Sequence, residues 1–328
     1  MRAVAIVFKT NLITGRVVYV LPRPKIYCMK YVFILIMLCM VITGCNHSVV
    51  PSTTPIVNAQ IQNEKGATIL AGHCSVSILQ TNPYKEWFDR SYTNYVVDTT
   101  TVSLMKNKLA NKTIEVFLGS WCGDSKREVP RLIKVLQAAS FDTANLKLVF
   151  VDYGAKTYKQ SPQHEEAGKV IHHVPTIIVY NHDNEMGRII ESPKISLEKD
   201  LLAIVLHRSY LPNYNSIAWW LYNVRERATP ITDEKLASIA ATIKPLCEGL
   251  RDFNGYGYVL LAQKNYAEAL NVFKLNSIIF PTNASAYNSL GEAYLTTGDK
   301  ENAKQSFEKV LELKHADENA IKRLGELK

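Results

Sequence analysis

The strongest constraint on this chain is a repeat near its C-terminus. Ala269 and Ala303 stand thirty-four residues apart, and the same interval separates Phe273 from Phe307, Gly257 from Gly291, and Leu290-Gly291 from Leu324-Gly325. An interval of that length, carrying a helix-turn-helix pattern, marks one supersecondary unit copied along the chain, each copy covering the apolar face of the next. The recurring glycines and alanines are structural, because they let helices approach closely. Moved back by one interval the pattern fails, since Asn223 and Lys235 fall on the glycine and alanine positions. Two copies and a last helix remain, about the least that buries a core.

The pattern resembles the tetratricopeptide repeat. In the second copy Tyr287, Leu290, Gly291, Tyr294, Ala303 and Phe307 fill its signature positions. The first copy supplies Phe253, Gly257, Ala269, Phe273 and Pro281, while His315 stands where the second proline would be. The resemblance implies a groove that binds a protein segment or packs back on the rest of the chain. Residues 251–328 are read as this repeat domain.

The other end of the chain reads as a leader. Tyr31–Gly44, "YVFILIMLCMVITG", is an uninterrupted apolar run, too short for the roughly 20 residues of a membrane span but right for a signal-peptide core. Met29-Lys30 before it makes a compact basic start, so Met29 is a candidate true initiator. "VITGC" resembles the bacterial lipobox, which implies lipidation at Cys45, a leader over 1–44, and a polar tether over 45–60. That places the body outside the cytoplasm, in the cell envelope, anchored to a membrane by lipid. The formal charge of +8 belongs to this leader: it holds six basic and no acidic residues, leaving 32 basic against 30 acidic. The body has no electrostatic case for nucleic acid. Its three cysteines, Cys74, Cys122 and Cys247, are an odd set, so at least one is free or pairs with another molecule.

Between the two ends the periodicity alternates. Residues 61–110 hold a candidate strand, "ATILAGHCSVSIL", and an aromatic stripe at helical spacing (Tyr84, Trp87, Phe88, Tyr92, Tyr95), and read as an N-terminal extension of the central domain. From 111 to 208 the order is strand ("TIEVFLGS", with Ile114, Val116 and Leu118 on one face), helix ("KREVPRLIKVLQAA"), strand ("LKLVFVDYG"), hairpin ("VPTIIVYNHDNEMGRIIE") and helix, with Ser196 as N-cap. A polar insertion before the hairpin, "AKTYKQSPQHEEAGKVIHH", is expected to have a helical middle. Residues 209–250, with Pro212, Pro230 and Pro245 between helical pieces, form a connector.

The chemistry centres on "EVFLGSWCGDSKREVP". A strand runs into Trp121-Cys122 and a helix opens behind the thiol, where unpaired N–H groups and the helix dipole favour thiolate. Trp121, Cys122, Glu128 and Pro130 follow the W-C-x-x-C-x-x-E-x-P pattern of the TlpA-like, membrane-anchored branch of thioredoxins. Fifty-three residues on, "HHVPTIIVY" resembles that family's cis-proline strand, with Pro175 as the cis residue. Together with "WFDRSYTNY" these stretches resemble a bacterial group of thioredoxin-family lipoproteins. The implied architecture is an α/β thioredoxin-like domain, a central sheet flanked by helices, followed by the all-α repeat domain. Two departures accompany the resemblance. Ser125 replaces the second cysteine, which removes the step that resolves a mixed disulfide. Val116 stands where thioredoxins place a buried acid or amide that assists that second thiol.

Three functions fit this pattern. The first is monothiol exchange or isomerisation on protein thiols and disulfides: Cys122 as nucleophile, Ser125 in place of its partner, Trp121 shielding it, Asp124 tuning it, Pro175 seating the substrate, and Val174 and Thr176 lining an extended peptide. It calls for no cofactor. The second is a non-catalytic scaffold in which the repeats bind a protein partner. The third is metal handling by Cys122 with His172 and His173, set against the plain reading of both histidines as partly exposed loop residues. Cys74 or Cys247 resolves the mixed disulfide only if the fold brings one of them to Cys122. Walker, H-E-x-x-H, G-x-S-x-G and T-x-x-C patterns are absent from the sequence.

Overall fold

The structure is a computed structural model that describes residues 57–225 and 231–328. The leader, Met29, Cys28, Cys39, Cys45, the first part of the tether and Pro230 lie outside the described residues.

The α/β part is a mixed six-stranded sheet in the order β1-β2-β4-β3-β5-β6. The strands are β1 (Ala59–Gln62), β2 (Thr68–Cys74), β3 (Lys112–Leu118), β4 (Leu146–Phe150), β5 (Thr176–Asn181) and β6 (Asn184–Ile190). β3 and β4 run parallel, with Val116 opposite Leu148, while the other pairs are antiparallel. β1 begins inside the stretch read as tether, and with β2 it makes residues 59–74 part of the sheet itself. Asn58 fixes the entry: its N–H donates to the His73 carbonyl and its side chain accepts from the Ser75 N–H.

Alternation along the strands divides the core. Ile114, Val116, Leu118, Leu148, Phe150, Ile177 and Val179 face one way, into a cluster built with α1 (Lys85–Asn94), α2 (Thr99–Met105), α3 (Gly123–Ala138) and α4 (Leu197–Val205). The aromatic stripe joins it: Tyr84, Trp87 and Phe88 are buried, and Tyr92 and Tyr95 pack against its edge. Phe117, Val149, Val151 and Ile178 face the opposite way, with Ile171 of the insertion and Val174 just after it, towards Trp121 and Cys122. Ser196 caps α4 by accepting from the Lys199 N–H.

The polar insertion departs from expectation. Residues 151–175 form successive turns with no helix. Buried carboxylates collect the backbone donors instead: Glu166 accepts from the Ser161 N–H, and Asp152 accepts from the N–H groups of Tyr153 and Gly154. Such side-chain bonds compete with helix formation and win where Pro162 and Gly168 already disfavour it.

The helical part begins before the repeat does. α5 (Asn215–Asn223) and α6 (Asp233–Ile243) share one hydrophobic cluster with α7 (Arg251–Ala262), α8 (Tyr266–Ile279), α9 (Ala284–Thr297), α10 (Lys300–Leu313) and α11 (Glu318–Glu326). Trp220 of α5 and Leu236, Ile239 and Ile243 of α6 are buried within it, so the connector is a packed layer of the helical domain. The repeat contact is visible twice. A β-carbon on Gly257 would stand 2.5 Å from the Phe273 ring, and one on Gly291 would stand 2.8 Å from the Phe307 ring.

Candidate functional site

The site lies where β3 meets α3. Gly119 lets the Trp121 ring fold back over the strand end, since a β-carbon there would lie 2.5 Å from the indole. The indole is pinned by its Nε1–H, which donates to the Val151 carbonyl at 2.9 Å. Cys122 is the N-cap of α3, in extended conformation, and offers α3 no side-chain cap. Its Sγ donates to the Val174 carbonyl at 3.2 Å. The Val174–Pro175 peptide bond is cis, and Thr176 opens β5 opposite Phe117, its hydroxyl donating to the His173 carbonyl. Ser125 is buried, with its Oγ accepting from the Gly119 N–H at 3.2 Å. Its hydroxyl therefore ties strand end to helix start. Asp124 forms an ion pair with Arg127 at 2.8 Å.

Trp121, Cys122, Asp124 and Val174 line a cavity of about 290 Å³. Its far wall is α7, the first repeat helix, which contributes Arg251, Asn254, Gly255 and Tyr258. Of the two expectations for the repeats, packing back on the α/β part therefore describes α7. Val174 and Thr176 are 2 % and 1 % exposed. An extended substrate has no free edge to pair with there while α7 keeps this position.

Four further side chains enter the cavity that the motif did not reveal: Tyr158 and Lys159 from the insertion, Glu191 after β6, and Arg251. Arg251 forms an ion pair with Glu191, which also accepts from the Tyr214 hydroxyl. No local pattern marks these residues, because three different segments supply them. Tyr158 and Tyr258 also line an adjoining groove of about 1020 Å³, bounded by Lys65, Tyr153, Lys156, Lys264, Tyr266 and residues of α9.

The histidine expectation is corrected. His172 and His173 are buried, with Nδ1 atoms 2.7 Å apart, and the His173 ring stacks on Tyr214 at 3.8 Å between centroids. Burial holds both neutral, pulling His172 down to about 3 and His173 well below the ordinary range. Neutral rings bonded to each other and to the aromatic wall act as packing and polar bridge. Among the described residues no group of three or more His, Cys, Asp or Glu side chains is arranged to hold a metal ion.

Cys74, Cys122 and Cys247 are all free thiols. Cys74 belongs to the sheet's helix-covered core and Cys247 packs against the helical cluster, and neither lines the Cys122 cavity. Burial pushes the first up to about 11 and the second up to about 12. Internal resolution by either has no structural basis here.

Comparison with known proteins bears on the helical part. The Tetratricopeptide repeat family model matches residues 284–317, the second copy and all its signature positions. Residues 284–317 are a tetratricopeptide repeat. The chain is also similar to the Cell division cycle protein 16 homologs of Homo sapiens and Mus musculus, 35 % identical over 72 residues in each case. That stretch is 22 % of this chain and 12 % of each of those proteins, so the chain matches only a small part of their length. A mixed sheet with flanking helices, followed by a helical region containing this repeat, is the architecture.

Proposed function

We propose that the chain is a thioredoxin-like protein of the bacterial cell envelope, lipid-anchored at Cys45, that isomerises or exchanges protein disulfides through Cys122. The observation that carries this reading is the placement of the Cys122 thiol, at the N-terminus of α3, partly buried, and against the carbonyl that precedes cis-Pro175. The 16-residue α3 behind it favours thiolate, the form that attacks a disulfide. Isomerisation suits a site with one cysteine. The Cys122 thiolate bonds to one sulfur of a substrate disulfide, and the other sulfur leaves as thiolate with the bonding pair. A further substrate thiolate then attacks the attached substrate sulfur and expels Cys122 as thiolate. No electrons are consumed, and Ser125 need not act.

Substrate approaches Cys122 from the Asp124 side of the cavity, because α7 walls the side at Val174. The tyrosine-lined groove beside the cavity gives a protein partner a second surface. That groove and the repeat also support the alternative reading, a scaffold that binds a protein through its helical domain while Cys122 takes no part.

Refolding of a disulfide-scrambled protein separates the two. The wild-type chain should accelerate recovery and Cys122→Ala should not. Equal rates for both would leave the scaffold reading alone standing.

A further inference from the structure

Lys159 is a largely buried cation that lines the same cavity as Cys122. It is 6 % exposed, and its ammonium sits 4.3 Å above the Trp121 ring and 4.9 Å from the Tyr158 ring. Among the described residues no hydrogen bond or ion pair reaches its Nζ. Buried charges are ordinarily paired, since desolvation without compensation is costly. The two aromatic faces offset part of that cost. The backbone holds the residue firmly in place, with φ of 58° and the N–H donating to the Asp152 carbonyl at 2.9 Å.

The other charges of the cavity are already matched. Asp124 is held by Arg127, and Glu191 is held by Arg251 and the Tyr214 hydroxyl. His173 is neutral, and burial raises the Tyr158 and Tyr258 phenols so that both keep their protons. One group in the cavity can still become an anion, the Cys122 thiol. Its bond to the Val174 carbonyl stabilises only the protonated form, because a thiolate cannot donate. Ionised sulfur must leave that carbonyl for other partners.

The geometry points to Lys159 as the counter-charge of the Cys122 thiolate, a positioning residue contributed by the polar insertion. This rests on the thiol-exchange reading above. Before attack the ammonium faces the thiolate of Cys122. After attack the cavity's negative charge has moved to the departing substrate sulfur, and the same ammonium steadies it until the return step restores Cys122. Burial brings Lys159 down to about 8, with the charges of Cys122 and Glu191 acting in the opposite direction.

The test is the rate of Cys122 alkylation by iodoacetamide from pH 5 to 10, read by peptide mass on the full chain. Wild type, Lys159→Met, Lys159→Gln, Lys159→Arg and Lys147→Met, an exposed lysine of β4, are compared. Wild type should show a midpoint below about 8.5, the ordinary thiol value. Lys159→Met and Lys159→Gln should raise it by about one pH unit, slowing alkylation about tenfold at neutral pH, while Lys159→Arg and Lys147→Met keep the wild-type profile. Removing an unpaired buried charge should leave thermal stability intact. A low wild-type midpoint unmoved in both Lys159→Met and Lys159→Gln would overturn the role of Lys159 and leave thiol exchange in place. An ordinary midpoint in wild type would overturn both.

Discussion

Gly255 and His173 meet at a distance that excludes any side chain. A β-carbon on Gly255 would lie 2.7 Å from His173 Cε1 and 3.1 Å from the His172 carbonyl oxygen. This contact seats the first repeat helix on the loop that carries Pro175, and so closes one wall of the Cys122 cavity.

Gly255→Ala should therefore destabilise the chain despite the better helix propensity of alanine. Backbone and a buried ring must shift, at a cost of about 1–3 kcal/mol. Gly325, with open space around it in α11, is the control. Gly325→Ala should stabilise by about 0.5–1 kcal/mol. Urea unfolding of both variants reads the two signs, and a stabilised Gly255→Ala would show that α7 does not rest on the histidine loop.

Native alkylation should discriminate sharply among the thiols. With Cys74 raised to about 11 and Cys247 to about 12, at pH 8 each is about a thousandth thiolate or less. Labelling at pH 8, followed by peptide mass, should find Cys122 modified long before the other two, and all three modified in denaturant. Early loss of Cys74 or Cys247 would mean that its segment opens readily.

Acid should weaken the fold from about pH 6.5 downwards. Desolvation keeps His172 and His173 neutral in the folded chain, whereas the unfolded chain takes up both protons. Their contribution is complete above the unfolded value and is lost as pH falls, by up to about 1.4 kcal/mol per pH unit for each ring. For His172 the loss continues towards about pH 3. Carboxylates held low by hydrogen bonds, first from the side chains of Thr101 to Asp98, Asn302 to Asp299 and Lys314 to Asp317 and then from capped backbone N–H groups, act in the same direction at lower pH. Urea midpoints at pH 7.5 and 5 should differ in wild type and differ less in His172→Gln. A flat wild-type profile would show that the rings are solvated.

Asp252 ties the connector to the repeat. It is fully buried and accepts from the Ser216 hydroxyl at 2.6 Å and from the N–H groups of Glu248 and Gly249 at 3.1 Å each. Asp252→Ala leaves three donors unpaired and should cost about 3 kcal/mol, with Asp252→Asn costing less. Equal stability of wild type and Asp252→Ala by thermal melting would show that this junction does not determine the fold.

Much of this organisation was legible in local pattern. Ile114, Val116 and Leu118 alternate because a strand turns its side chains every second residue, and they share a face in the sheet. Ser196 caps α4 because a hydroxyl there meets a free N–H. Failure of the interval at Asn223 and Lys235 concealed the α5–α6 layer, since a helix pair can pack on a repeat without carrying its signature glycine and alanine. The insertion misled because its polar run suits a helix by composition, while Asp152 and Glu166 draw the backbone into turns.

By itself the sequence determined the repeat, the strand that ends in Trp121-Cys122, the helix behind it and the hairpin after Pro175. Each depends on periodicity or on bonds spanning a few residues. Tertiary structure alone decided that α7 walls the thiol cavity, that His172 and His173 are buried and neutral, and that Lys159 lines the same cavity as Cys122. Those outcomes depend on segments far apart in the chain excluding water from one another. Desolvation of that kind is a property of the packed whole, which no single segment encodes.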